Sequence, residues 1–449
     1  YRELDPGSFF NTKDQERWST QYRAIYLANM LEDNRFRFEN VSEERADYWI
    51  AQANFIKAFM YFDLARNWGD APVAPGTESL EAVAKSSVDT ILNEAIRCAE
   101  KALILPTYDQ LTDANGNNVT SKQYASLGTV HTLLANIYAW MGGLYNKQEY
   151  WEKAEEHASL VIDGKVGNYG LEKTIKDMLE KTLGPVRNSV ETIFSIANDE
   201  QDNDRYLSTG LEMAYPGLIL VNYPYTTASP EDILYEIYSP YIYVWTVEDI
   251  YTEEGDDRIK EYWYNLGEVT YWEYTDWDDD GNPSDSVEVV SDNAFINKWK
   301  NPIFSVNPSV IAGGEKPLLA MDCDRVVWRL ADLILLRAEC RARLKKPAAV
   351  DDLDRIRERA GLEKYTGSTE PENLREEIFR ERERELFGEG QRYFDIVRNG
   401  YFREELSYKH AALTDDDVKN GALYLPVARM SMEENTLMKQ NIYWLWHQK

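Results

Sequence analysis

The chain is poor in cysteine and histidine, and those it has are scattered. Cys98, Cys323 and Cys340 are too few and too uneven for a disulfide framework or a zinc cluster. His131, His157, His410 and His447 form no H-E-x-x-H pairing, so no helical zinc-protease site is encoded. Positive charge is in deficit: 49 Lys and Arg stand against 78 Asp and Glu, a formal net charge of -29. Binding a phosphate backbone needs a basic footprint, so nucleic acid is excluded as a partner. No run of about 18 apolar residues occurs, so no segment reads as a membrane-spanning helix. The opening YRELDPGSFF carries no signal peptide and reads as a mature or trimmed start. There is no G-x-S-x-G elbow, P-loop or dinucleotide fingerprint, and no nucleophile stands beside an evident base. With so many carboxylates, a pair suited to glycoside hydrolysis can be drawn almost anywhere, so no pair is informative. No catalytic residue is assigned.

Apolar residues and aromatic rings are plentiful. Hydrophobic residues make up 43% of the 449, enough for a sizeable core and too many for general disorder. There are 30 Tyr, 13 Trp and 14 Phe. Most must pack in the core, but Tyr and Trp also suit half-wet recognition surfaces, where a flat apolar face ends in a polar tip.

The first half reads as helices in pairs. YWIAQANFIKAFMYFDLARNWGD repeats Ile50, Ala53, Ile56, Phe59, Tyr61 and Leu64 at helical spacing and stops at Gly69. A second helix is predicted from an N-cap at Ser87 to Pro106. KQYASLGTVHTLLANIYAWMG and EYWEKAEEHASLVIDG follow, and a later pair is RLADLILLRAECRARL with AAVDDLDRIRERAGL. Small residues recur at Ala95, Ala99 and Ala102, and at Ala135, Gly142, Ala154 and Ala158. Such spacing lets helices approach closely, in the manner of degenerate tetratricopeptide repeats.

From about Asn198 to Lys316 the texture changes to Tyr, Trp, Asp, Gly and Pro. Long excursions of this kind commonly carry function. Within it, LGEVTYWEYTDWDDDGNPSDSVEVVSDNAFINKW predicts a hairpin, its turn at DDDGNPSD. Tyr271, Glu273, Thr275 and Trp277 alternate with Trp272, Tyr274 and Asp276. The rings of Tyr271, Trp272, Tyr274 and Trp277 are the first candidate sugar-binding set, because the C–H faces of sugars lie flat on aromatic rings. Tyr223 and Tyr225, in VNYPYTTASP, are the second. Asp276, Asp278, Asp280 and Gly281 match the first half of a calcium loop. The closing bidentate position holds Val287, with Glu288 one place late, so an acidic turn is the preferred reading.

REEIFRERERELFGEGQRYFDIVRNG, Arg375 to Gly400, is the most charged stretch. Leu374, Ile378, Phe379, Leu386 and Phe387 share one side of a helical wheel, and Glu381, Arg382 and Glu385 interrupt that stripe. Charges there must be paired, and an internal ionic network is expected. Glu376, Glu377, Arg380 and Arg384 read as a solvated i,i+4 ladder.

The order I-x-x-E-R-x-x-E-L-x-x-E-G-x-R-x-x-D, from Ile378 to Asp395, resembles the C-terminal signature of the SusD/RagB family of Bacteroidetes outer-membrane nutrient-binding lipoproteins. AQANFIKAFMYFDLARNWGDAPV resembles the family's early helix and Gly-Asp-x-Pro turn. The late helix pair, the stretch with Asp257 and Arg258, and LYLPVARMSMEENTLMKQNIYW with Gln440 and Asn441 agree in order. The resemblance implies a single unit over 1–449. Its mainly α fold would hold four tetratricopeptide-like helix pairs in a right-handed superhelix, with inserted loops and small β-hairpins. Along the chain this divides into a helical-repeat part at 14–165, an aromatic insertion at 198–316 and a C-terminal part at 322–449. It implies glycan capture without catalysis or cofactor, a SusC-like TonB-dependent transporter as partner, and a cell-surface position held by a lipid anchor. No Cys precedes Cys98, so the anchor cysteine is expected upstream of Tyr1. The family usually has a longer segment between LDPGSFFNTKDQ and ERWSTQYRAIYLANML. A peptide or glycoprotein-glycan ligand, a glycoside hydrolase and a pure docking subunit stay open as alternatives.

Overall fold

Serine caps set the spacing of the first helices. Ser42, Ser87 and Ser126 each accept a hydrogen bond from the backbone N–H three residues on, satisfying a donor that the first helical turn leaves open. They open the helices Glu43–Asn67, Val88–Lys101 and Leu127–Tyr145. The second runs on as a 3-10 turn, Ala102–Ile104, before Pro106. The third ends at Asn146, which takes the left-handed conformation.

This computed structural model describes residues 17–79, 81–187, 189–198, 223–225, 242–278, 281–304 and 318–447. The described residues are mainly helical with a few short strands, the class expected. None of their helices is long and apolar enough to cross a membrane. Packing divides the chain, expected as one unit, into two compact units. The first holds the residues up to Asn168, Arg343–Lys346 and those from Gln391 onward. The second holds Tyr169–Ala342 and Pro347–Gly390. The C-terminal part read as 322–449 is therefore shared between both.

In the helical first unit, Glu43–Asn67 packs against both Ser19–Asp33 and Val88–Lys101. Its buried residues include Ala51, Phe55, Ala58, Phe62 and Ala65, together with the expected Tyr61 and Leu64, whereas the expected Ile50, Ala53, Ile56 and Phe59 are half-buried. Alanines take the closest approaches because a neighbour lies on each side, and the larger aliphatics fall between. Ala95, Ala99, Ala102, Ala135, Ala154 and Ala158 are all fully buried. Leu127–Tyr145 is buried nearly all round. A Cβ on Gly142 would lie 2.5 Å from the Trp151 ring, and one on Gly143 would lie 2.6 Å from the Arg398 carbonyl oxygen. Only glycine lets the helices Gln148–Ile162 and Arg392–Asn399 come this near.

His131 and His157 meet within this unit, their Nδ1 atoms 2.8 Å apart. Tyr138 stacks on His157 at 5.6 Å. Burial holds both imidazoles neutral, with titration pulled down to about 4 from 6.5; the neighbouring His157 adds to this for His131, and Lys153 for His157. As pH falls below 6.5 the unfolded chain takes up protons that the folded chain refuses until about 4. Stability is therefore complete above that window and declines through it, by about 3 kcal/mol for one histidine at ~1.4 kcal/mol per pKa unit. Thermal melts between neutral pH and pH ~4.5 should show this decline, and His157→Gln should flatten it. An unaltered pH profile in that variant would remove the pair as its source.

The second unit combines short antiparallel sheets with helices, among them Leu330–Arg343, Ala349–Arg359 and Pro371–Glu385. Thr192–Ile196 pairs with Arg325–Arg329, and Asn293–Ile296 lies between Ile242–Tyr243 and Trp263–Tyr264. Its core includes Tyr262, Trp263, Trp299 and Met321. Leu330–Arg343 and Ala349–Arg359 are clamped by Arg337, whose guanidinium donates to both Asp352 carboxylate oxygens at 2.9 and 2.6 Å.

Candidate ligand-binding site

Pro371, pre-set for a first helical turn, opens the signature helix Pro371–Glu385 in the second unit. Leu374, Ile378 and Phe379 are buried, and so are Glu381, Arg382 and Glu385. Leu386 and Phe387 lie just past the helix end rather than on it. Arg258 donates to both Asp256 oxygens at 2.8 Å and to Glu381 at 2.7 Å. Arg329 donates to Glu191 at 2.8 Å, to Glu385 at 2.6 Å and to Glu389 at 2.7 Å. Arg359 bridges Glu191 and Glu385. Lys298 reaches Glu389 at 2.5 Å and the carbonyls of Glu385 and Phe387 at 3.1 and 3.0 Å.

Burial alone would raise the Glu385 carboxyl, but Arg359, Arg329 and Arg258 outweigh it and hold it far below the usual carboxylate range. Burial pulls the Lys298 ammonium down to about 8 against the pull of Glu389. Arg382 pairs with Asp332 at 2.8 Å. Arg384 corrects the expectation of a solvated ladder: it is buried and paired with Glu381 and Glu377. Every cation here is matched by a carboxylate and the cluster is enclosed, so its chemistry is scaffolding.

The aromatic hairpin is the opposite kind of surface. Thr270–Trp277 pairs antiparallel with Pro283–Val290. Its turn closes through Gly281, at φ 81, whose N–H donates to the Asp278 carbonyl at 3.0 Å. Trp272 lies opposite Glu288 and Tyr274 opposite Ser286, but a register irregularity follows Tyr274. The strict alternation expected through Trp277 therefore breaks there. Apart from half-buried Tyr271 and Val289, both strands are exposed along their described length. Trp272, Tyr274 and Trp277 are 60%, 54% and 56% exposed, much more than rings that serve a core.

Tyr223 and Tyr225 do not join that ribbon as free platforms. Tyr223 packs on Phe295 at 4.6 Å and on Tyr264 at 5.8 Å, in a small cluster with Val269 at the hairpin's foot. Tyr225 packs against the unit's core, its hydroxyl 3.3 Å from Asn297 Oδ1. Both are half-buried. One ring pair escaped the sequence reading: Tyr243 stacks on Trp245 at 4.0 Å, and Trp245 is 48% exposed. Tyr243 is paired across the ladder with Asn293, next to the same foot. The only signal was the short alternation Tyr241, Tyr243, Trp245.

Of the calcium candidates, Asp280 lies outside the described residues. Asp276 accepts the N–H of Trp277 and Asp278 that of Asn282, at 2.9 and 2.8 Å, so both carboxylates serve the turn. Among the described residues no three His, Cys, Asp or Glu are grouped to hold a metal ion. Glu273, Asp276, Asp278, Asp285 and Glu288 make the ribbon acidic. A surface of this charge repels anions.

The second unit thus holds an enclosed ionic cluster and an exposed aromatic ribbon. The SusD family profile matches residues 191–444. A second profile, described as starch-binding associating with outer membrane, matches residues 8–109. The chain belongs to the SusD family. SusD-like protein P25 of Formosa agariphila is 22% identical, over 94% of this chain and 78% of its own length. A crystal structure of a SusD homolog from Bacteroides thetaiotaomicron shares the fold with a TM-score of 0.74 at 21% identity, covering 96% of this chain and 83% of that one. NanU of B. fragilis does so with a TM-score of 0.66 at 18% identity, covering 95% and 85%.

Proposed function

We propose that this protein captures an oligo- or polysaccharide at the cell surface and delivers it, uncleaved, to a SusC-like TonB-dependent transporter. The observation that carries this reading is the ribbon of Trp272, Tyr274 and Trp277, exposed on a fold whose family includes starch binders. Rings offer flat faces to sugar C–H groups, while Glu273 on the same strand and Asp285 and Glu288 on the paired one supply carboxylates suited to accept hydroxyl hydrogen bonds. A lipid anchor would hold the protein at the outer leaflet of the outer membrane. The acidic ribbon favours a neutral glycan as cargo.

Affinity electrophoresis against a panel of neutral polysaccharides, with a reducing-end assay on the same samples, tests this. Retardation by at least one glycan without new reducing ends is the expected result. Release of reducing ends would replace the reading with a glycoside hydrolase. If no polysaccharide retards the protein but peptides or glycoprotein glycans bind it, the cargo assignment fails.

A further inference from the structure

The helical unit contains a cavity of about 440 Å³ far from the aromatic ribbon in sequence. This volume lies in the range of small-molecule pockets. Its lining runs against the charge of the chain. Lys85, Lys419 and Lys439 are set there against a single carboxylate, Asp70. Asp70 is already engaged, its Oδ1 accepting the Val88 N–H at 2.8 Å at the start of the Val88–Lys101 helix. None of the three lysines has a carboxylate within ion-pair distance among the described residues. In a chain of net charge -29, an unpaired positive cluster is unusual and needs an account.

The cavity is built rather than incidental. Lys85 is half-buried, and its Nζ is fixed on Asn441 Oδ1 at 2.5 Å. Asn441 is buried, and its amide donates to the Trp68 carbonyl at 3.3 Å. Burial pulls the Lys85 ammonium below its ordinary value, with Asp70 opposing. The two walls come from distant segments and are tied together by backbone and amide hydrogen bonds. Leu425 N–H donates to the Asn67 carbonyl at 2.7 Å, and Asn435 Nδ2 to that of Val83 at 2.8 Å. Tyr424 lies so close on Gly69 that a Cβ there would be 2.8 Å from the ring. The apolar side chains Leu437 and Ile442, 48% and 54% exposed, share the lining.

We propose that this cavity binds a compact oxyanion carried on a sugar ring, a uronate carboxylate or a sulfate ester, with Lys85 as the fixed contact and Lys419 and Lys439 as further cationic contacts. A lysine ammonium is a point charge that accepts either oxyanion without requiring a planar fork. Leu437 and Ile442 offer apolar surface to the ring, which a bare inorganic ion would not use. This site complements the acidic ribbon, which repels the same ligands, and does not rest on glycan capture there.

The test is calorimetric titration of the full chain, at neutral pH and low salt, with glucuronate, glucose 6-sulfate, glucose and sodium sulfate. Binding of at least one acidic sugar, with no heat from glucose, is expected; it should weaken with added salt. Lys85→Met should weaken it roughly tenfold or more. Lys439→Glu, an exposed change that leaves the fold alone, should weaken it in the same direction. Glucuronate binding alone identifies the carboxylate source, and glucose 6-sulfate alone the sulfate ester. The proposal is overturned if neither acidic sugar binds, if sodium sulfate binds and neither sugar does, or if both variants bind as the parent does.

Discussion

Glu385→Ala should lower folding stability by about 3–5 kcal/mol, the range seen when one partner of a buried ion pair is removed. The Glu385 carboxylate receives Arg329 at 2.6 Å, Arg359, and Arg258 at 3.5 Å. Removing it leaves three fully or nearly fully buried guanidiniums short of an anion. The loss is therefore mostly uncompensated positive charge rather than one lost hydrogen bond, which alone is worth only ~1 kcal/mol. In a melting experiment the shift should be on the order of 10 °C. Glu385→Gln separates charge from shape. It keeps the volume and one acceptor oxygen, so it should fall between the parent and the alanine variant if shape matters, and match alanine if charge dominates. Arg382→Ala, which breaks the pair with Asp332, should also destabilise. A change within ~1 kcal/mol for Glu385→Ala would mean that water or rearrangement supplies the missing charge.

Replacing Trp272, Tyr274 and Trp277 together by alanine should weaken binding of the retained polysaccharide by roughly 100-fold. The figure follows from about 1 kcal/mol per stacked ring, summed over three. Each ring is more than half exposed, so the melting temperature should stay nearly constant, as for surface changes generally. Tyr223→Ala should behave in the reverse way. Its contacts with Phe295 and Tyr264 belong to the hairpin's foot, and its loss should show first in stability. Undiminished affinity in the triple variant would move the glycan surface elsewhere, with Tyr243 and Trp245 the next rings to test.

Local signals in the sequence were reliable where the physics is local. Ser87 caps its helix because a hydroxyl and an N–H three residues apart meet by geometry. The charges at Glu381, Arg382 and Glu385 stood out because they interrupt an apolar stripe. Their partners did not stand out. Glu191, Arg258, Lys298, Arg329 and Arg359 come from separate elements, and no periodicity links them. Arg384 looked like one rung of a solvated ladder because its neighbours at four-residue spacing are acidic, yet tertiary packing encloses it. The stripe of Glu43–Asn67 is legible at Tyr61 and Leu64, which are buried, but not along Ile50, Ala53, Ile56 and Phe59, which are half-buried, for a related reason. A helix with neighbours on two sides puts alanine at its tightest contacts, and a hydrophobicity count favours isoleucine. The candidate site was half legible. The ribbon's rings were named from alternation and turn chemistry, whereas the burial of Tyr223 and Tyr225 depends on residues some 40 to 70 positions later.

The enclosed ion cluster also constrains the order in which the chain can finish folding. Arg258, Arg329 and Arg359 are translated before Glu381, Glu385 and Glu389, which neutralise them. Until those late carboxylates arrive, closing the second unit would strand cations in a low-dielectric interior at several kcal/mol apiece. Asp256 and Glu191 supply only part of the balancing charge, so burial of this cluster is favourable only with the signature helix in place.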